Sequence, residues 1–82
     1  MQKKVVIYST PMCLYCNMAK DYFDSMGIRY TAYDVLVDRP KRQDMIRISD
    51  QMGVPVIIVS EKVFVGFSDE TKELIKKELN LS

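Results

Sequence analysis

The 82-residue chain contains no histidine, and that absence removes several chemistries at once. There is no Ser-His or Cys-His relay and no imidazole metal site. Cysteine is also scarce. The two present cannot close a four-coordinate structural zinc site without further ligands, nor form the disulfide framework of a small secreted scaffold. Net charge is nearly absent, with 12 basic against 11 acidic side chains, which argues against a nucleic-acid footprint. Long apolar runs are missing, so no membrane span is expected. The start, Met1-Gln2-Lys3-Lys4 followed by Val5 to Tyr8, has a basic flank. Its apolar part is too short for a signal peptide and lacks a small-residue cleavage site. A reducing cytoplasm is the expected location, where a cysteine pair is more often catalytic or metal-binding than structural.

What remains is the composition of a globular domain, 48% apolar and 28% charged. The length allows one domain, spanning 1–82, that buries about 60–65% of its unfolded surface. Val5-Val6-Ile7-Tyr8 reads as a buried strand ended by Ser9-Thr10-Pro11. Met18, Ala19, Tyr22, Phe23 and Met26 mark one face of a helix that Gly27 stops. Arg29 to Val35 suits a second strand. Asp38-Arg39-Pro40 opens a second helix, with Met45, Ile46, Ile48 and Met52 on its apolar face and Gly53 at its end. Val54 to Val59 and Lys62 to Val65 form a hairpin across Ser60-Glu61. Ser68 caps a last helix, with Asp69 and Glu70 in its first turn and Leu74, Ile75 and Leu79 inward. The order is βαβαββα: an α/β fold with a four-stranded mixed sheet flanked by three helices. The first two strands should be parallel, joined by a right-handed crossover.

The sharpest feature is Pro11-Met12-Cys13-Leu14-Tyr15-Cys16, where the first strand meets the first helix. Cysteines three apart share a helix face, so their sulfurs can join or separate with little backbone motion. The positive end of a helix stabilises an anion, and the thiolate is the reactive form. Cys13 at the tip is thus the expected nucleophile, and Cys16, one turn inside, the resolving thiol. The alternative is a metal or iron–sulfur scaffold using the same pair. Gly53-Val54-Pro55 is the second feature. A proline directly before a strand core marks a cis bond, an edge or a strand start. With a cis bond, Val54 would offer backbone groups to an extended thiol substrate.

These residues resemble the glutaredoxin family, with Cys-Leu-Tyr-Cys after a first strand, Val-Pro before a third, and Gly-Phe-Ser-Asp before the last helix. The short glutaredoxin-like redoxin branch is the nearest in pattern. The resemblance covers essentially the whole chain. It implies the thioredoxin fold, a cis bond at Pro55, no bound cofactor, and a monomeric cytosolic thiol–disulfide oxidoreductase acting on disulfide-containing proteins and glutathione. It also implies that Tyr15, Val54, Pro55, Gly66 and Asp69 border the groove beside Cys13, with Arg42 near a polar glutathione contact.

Departures from the family pattern bear on the electron donor. Leu14 stands where a proline is common, Ser9 to Met12 carries no cation, Gly53 replaces a threonine, and Val65-Gly66 replaces a glycine pair. Redoxins that draw electrons from thioredoxin reductase share some of these losses, so the donor is glutathione or a thioredoxin-reductase system. Arg39, Lys41, Arg42 and Arg47, interleaved with Asp38, Asp44 and Asp50, read as a solvated helix face. Met12, Leu14, Tyr15 and Phe67 would surround Cys13 with apolar side chains, Phe67 being equally able to pack inward. Exposed, they suit a protein partner better than a dianionic tripeptide.

Overall fold

The computed structural model describes residues 2–80 and shows the element order β1 (Val5–Ser9), α1 (Leu14–Ser25), β2 (Thr31–Asp34), α2 (Arg39–Ser49), β3 (Val56–Val59), β4 (Lys62–Val65) and α3 (Asp69–Glu78). The sheet order is β2-β1-β3-β4. β1 pairs with β2 in parallel, and the β1–β3 and β3–β4 pairs are antiparallel.

Alternation along the two central strands divides the core. Val5 and Ile7 of β1 and Ile57 and Val59 of β3 point to one face, where Ala19 and Phe23 of α1 and Ile75 of α3 cover them. Tyr8 and Val56 point to the other, against Met45 of α2. Both faces of the central strands are therefore covered, with Val6 and Ile58 partly exposed, as their continuous apolar runs require. No helix among the described residues is long and apolar enough to cross a membrane.

The helix starts follow their capping residues. The Asp38 side chain accepts from Lys41 N, with Pro40 in the first turn, and Ser68 Oγ accepts from Thr71 N. Gly27, at φ 68°, follows the end of α1 in the left-handed region.

Four expectations are corrected. First, α2 stops at Ser49 rather than Gly53. Asp50 takes the left-handed cap at φ 56°, a conformation a short polar side chain tolerates, and its N–H donates to Ile46 O. Met52 therefore lies outside the helix and in solvent. Second, the buried face of α1 is Cys16, Ala19 and Phe23, leaving Met18 and Met26 partly exposed. Met18 is about 200° around the helix from Cys16, and Met26 is the terminal cap. Third, Leu74 is about half exposed, because α3 turns Ile75 and Leu79 to the sheet. Fourth, regular pairing in β2 covers only Thr31–Asp34, the stretch in register with Val6–Ser9.

Candidate active site

The C-terminal end of β1 delivers the chain to the cysteine turn. Cys13 N donates to Thr10 O at 3.3 Å, and Cys13 itself is the N-cap of α1 in extended conformation. Its Sγ takes the place a capping oxygen normally fills, accepting from Cys16 N at 3.1 Å. The same sulfur lies 3.9 Å from the Val54 carbonyl oxygen. Cys13 is partly exposed, whereas Cys16 is fully buried, and both are free thiols. Burial pushes the Cys16 thiol up to about 12, the hydrogen bond with the Cys13 side chain adds to that, and a bond with the Thr10 backbone opposes it. One thiol is thus presented and the other withheld.

The Val54–Pro55 bond is cis. Antiparallel pairing of Tyr8 with Val56 brings the start of β3 to the same end of the sheet as Cys13. The loop before it is braced by Gln51, a residue that the sequence reading missed. Gln51 Oε1 accepts from Gly53 N at 2.6 Å, and its Nε2 donates to Gly53 O and Ser49 Oγ, each at 3.0 Å. A glutamine in a polar loop carries no pattern that would have marked it.

A groove of about 230 Å³ is lined by Tyr15, Val54, Pro55, Val65, Gly66, Phe67 and Ser68. Tyr15, Val54, Pro55 and Gly66 thus share one groove. Gly66 sits at φ 85° and donates its N–H to Pro55 O at 2.8 Å, tying together two of the groove's lining residues. Phe67 packs inward against Tyr22 and Phe23, so it is not part of an exposed collar around Cys13. Asp69 is exposed at the first residue of α3, next to Ser68, and Arg42 is exposed on α2; neither lines the groove. No charged side chain does. Among the described residues, no group of three or more His, Cys, Asp or Glu side chains is placed to hold a metal ion.

Comparison with known proteins places this site in a family. The glutaredoxin family model matches residues 5–64, from β1 through most of β4. The chain is 39% identical over 74 residues to an uncharacterized glutaredoxin-like 8.6 kDa protein in a rubredoxin operon of Clostridium pasteurianum, covering 89% of this chain and 99% of that one. It is 31% identical over 65 residues to glutaredoxin 3 of Escherichia coli, covering 79% and 78%. Among solved structures, a mutant thioredoxin-like protein superposes with a TM-score of 0.87 at 25% identity, over 98% of this chain and 99% of that one. The methanoredoxin of Methanosarcina acetivorans, at 20% identity and a TM-score of 0.85 over 98% and 87% of the two chains, shares the fold. With the paired cysteines at the tip of α1 and the family match running through both Cys13 and Pro55, the chain belongs to the glutaredoxin family.

Proposed function

We propose that this chain is a dithiol thiol–disulfide oxidoreductase of the reducing cytoplasm. It reduces disulfides in proteins, with glutathione or a thioredoxin-reductase system returning the electrons. The observation that carries the reading is the asymmetry of the two thiols: Cys13 Sγ is partly exposed and held by Cys16 N at 3.1 Å, while Cys16 is buried directly behind it.

The Cys13 thiolate attacks one sulfur of the substrate disulfide. That S–S bond breaks, and the departing sulfur takes up a proton. Chain and substrate are then joined through Cys13. Cys16 gives up its proton and attacks the Cys13 sulfur, and the second substrate sulfur leaves as a thiol. Two electrons and two protons have moved to the substrate, and the chain holds a Cys13–Cys16 disulfide, which the donor reduces by the reverse exchange. The N–H of Cys16 and the positive end of α1 favour negative charge on Cys13 sulfur as it attacks and as it leaves. Burial keeps the proton on Cys16 while Cys13 makes the first attack. Tyr15, Val54, Pro55 and Gly66 wall the space where the substrate chain lies.

The test is trapping. Cys16→Ser should accumulate a mixed disulfide with an oxidised protein substrate, visible as a reducible mass adduct, whereas Cys13→Ser should neither react nor trap. An adduct formed by Cys13→Ser would overturn the assignment. Supplying the oxidised chain with either glutathione or NADPH and thioredoxin reductase identifies the donor that sustains turnover.

A further inference from the structure

Among the described residues, Ser9 is the one buried side chain that is neither apolar, aromatic nor a thiol, and it is only 1% exposed. It ends β1, a strand made otherwise of valine, isoleucine and tyrosine. Its carbonyl accepts from Val35 N at 2.9 Å. Its hydroxyl takes part in no hydrogen bond among the described residues. A buried hydroxyl without a partner destabilises a fold, so an alanine here would suit the resting protein at least as well.

Topology shows what lies over Ser9. Side chains alternate along a strand, so Ser9 shares the face of Val5 and Ile7, the face that α1 covers. α1 carries the chain back from the end of β1 to the start of the parallel strand β2, and so runs antiparallel to β1. Its buried residues fall in reverse order along that strand, with Phe23 toward the start and Cys16 over the end, where Ser9 sits. The Cys16 sulfur also reaches the backbone of Thr10, the residue next to Ser9.

The contacts of Cys16 show what its sulfur lacks. The bond with the Cys13 side chain raises its proton affinity, so the Cys16 S–H is the donor there. The bond with the Thr10 backbone lowers it, so the sulfur accepts there. Lys20, one turn further along α1, adds a favourable charge. When the proton leaves, negative charge gathers on a fully buried sulfur that has a single backbone donor. Charge buried with so few donors raises the barrier to attack. A serine side chain moves between staggered positions and its hydroxyl hydrogen rotates, so Ser9 can turn a donor to that sulfur without moving the backbone.

We infer that the Ser9 hydroxyl serves the resolving step, donating a hydrogen bond to the Cys16 sulfur as that sulfur becomes negative and attacks Cys13. The inference rests on the dithiol reading above and adds a residue to its second step. Ser9 keeps its own proton throughout. The Cys16 proton passes to solvent, the Cys13–Cys16 bond forms, and the bond between Cys13 and the substrate sulfur breaks.

Bis(carboxynitrophenyl) disulfide separates the two steps, because each releases one coloured thiolate. Attack by Cys13 frees the first and leaves the other half of the reagent on Cys13. Attack by Cys16 frees the second. One equivalent is mixed with reduced protein at neutral pH, and stopped-flow absorbance follows both phases. Ser9→Ala should leave the first phase unchanged and slow the second about tenfold, as expected for loss of a hydrogen bond to a charged acceptor. Ser9→Thr keeps the hydroxyl and should stay within about threefold of wild type in both phases. Urea melts of the reduced proteins should show Ser9→Ala at least as stable as wild type. An unchanged second phase in Ser9→Ala, an equal slowing of both phases, or Ser9→Thr as slow as Ser9→Ala would overturn the role of Ser9 and leave the thiol chemistry intact. A loss of stability in Ser9→Ala would assign the hydroxyl to the resting fold and overturn that role as well. A wild-type reaction that stops after the first phase would overturn the dithiol reading and this inference with it.

Discussion

Cys16 N donates to Cys13 Sγ across 3.1 Å, so the resolving residue holds the nucleophile through its backbone while its own thiol stays buried. The arrangement follows from the three-residue spacing on α1: an N-cap side chain meets the N–H three positions on, and the side chain of that residue falls on the sheet side. Four expectations follow from this site and its supports.

Alkylation should separate the two thiols. Limiting iodoacetamide at neutral pH should label Cys13 first and leave Cys16 unmodified until the protein is unfolded, because Cys16 is both buried and strongly protonated. Peptide mapping by mass spectrometry reads the order, and early labelling of Cys16 would reverse the roles.

Alkali should destabilise the reduced protein. The unfolded Cys16 thiol loses its proton near pH 9.0, whereas the folded one keeps it to about 12. Above pH 9.0 the unfolded state therefore binds fewer protons, and stability falls as pH rises between these values. Burial also raises Tyr8 and Tyr30 above 10.0, which acts in the same direction at higher pH. Urea unfolding of reduced wild type and Cys16→Ala between pH 8 and 10, about one pH step apart in each melt, isolates the cysteine share. Equal slopes in the two proteins would refute it.

Gln51→Ala should loosen the approach to Val54. The substitution leaves Gly53 N and Gly53 O to water and should cost about 1 kcal/mol of stability, as typical hydrogen bonds do. Reaction with extended disulfide peptides should slow, while alkylation of Cys13 by a small reagent stays unchanged. A parallel fall in both rates would mean that the brace acts on Cys13 itself.

Gly66→Ala should destabilise the fold by roughly 1–2 kcal/mol, through backbone conformation and not through a clash. Gly66 sits at φ 85°, and no atom lies within 4 Å of where its Cβ would be. Denaturant melts measure the loss. A neutral result would show that the turn adjusts at no cost.

The glycine pattern also shows how far the chain can be read without its fold. Relative to the family pattern, Val65 replaces the first glycine of a pair, and only Gly66 adopts a left-handed backbone; Val65 is an ordinary β4 residue paired with Val56. The retained glycine is the one whose conformation needs it.

Features that depend on neighbours a few residues away were legible in the chain itself. The continuous apolar β-branched run at Val5 to Tyr8, the Asp38 and Ser68 caps, the Gly27 stop and the three-residue spacing of Cys13 and Cys16 are each set by local sterics and hydrogen bonds. Element order and the redox motif followed from these. Tertiary structure alone decided which residues of each broad apolar stripe were buried. Phe67 and Phe23 went inward and Met18 and Leu74 stayed out, because the opposing sheet selects the orientation of a helix. It also decided where α2 ends, since the chain must turn at Asp50 to reach β3, and it alone brought Val54 to Cys13, 41 residues apart in sequence. That contact depends on β3 pairing antiparallel with β1, a long-range register that no local pattern encodes.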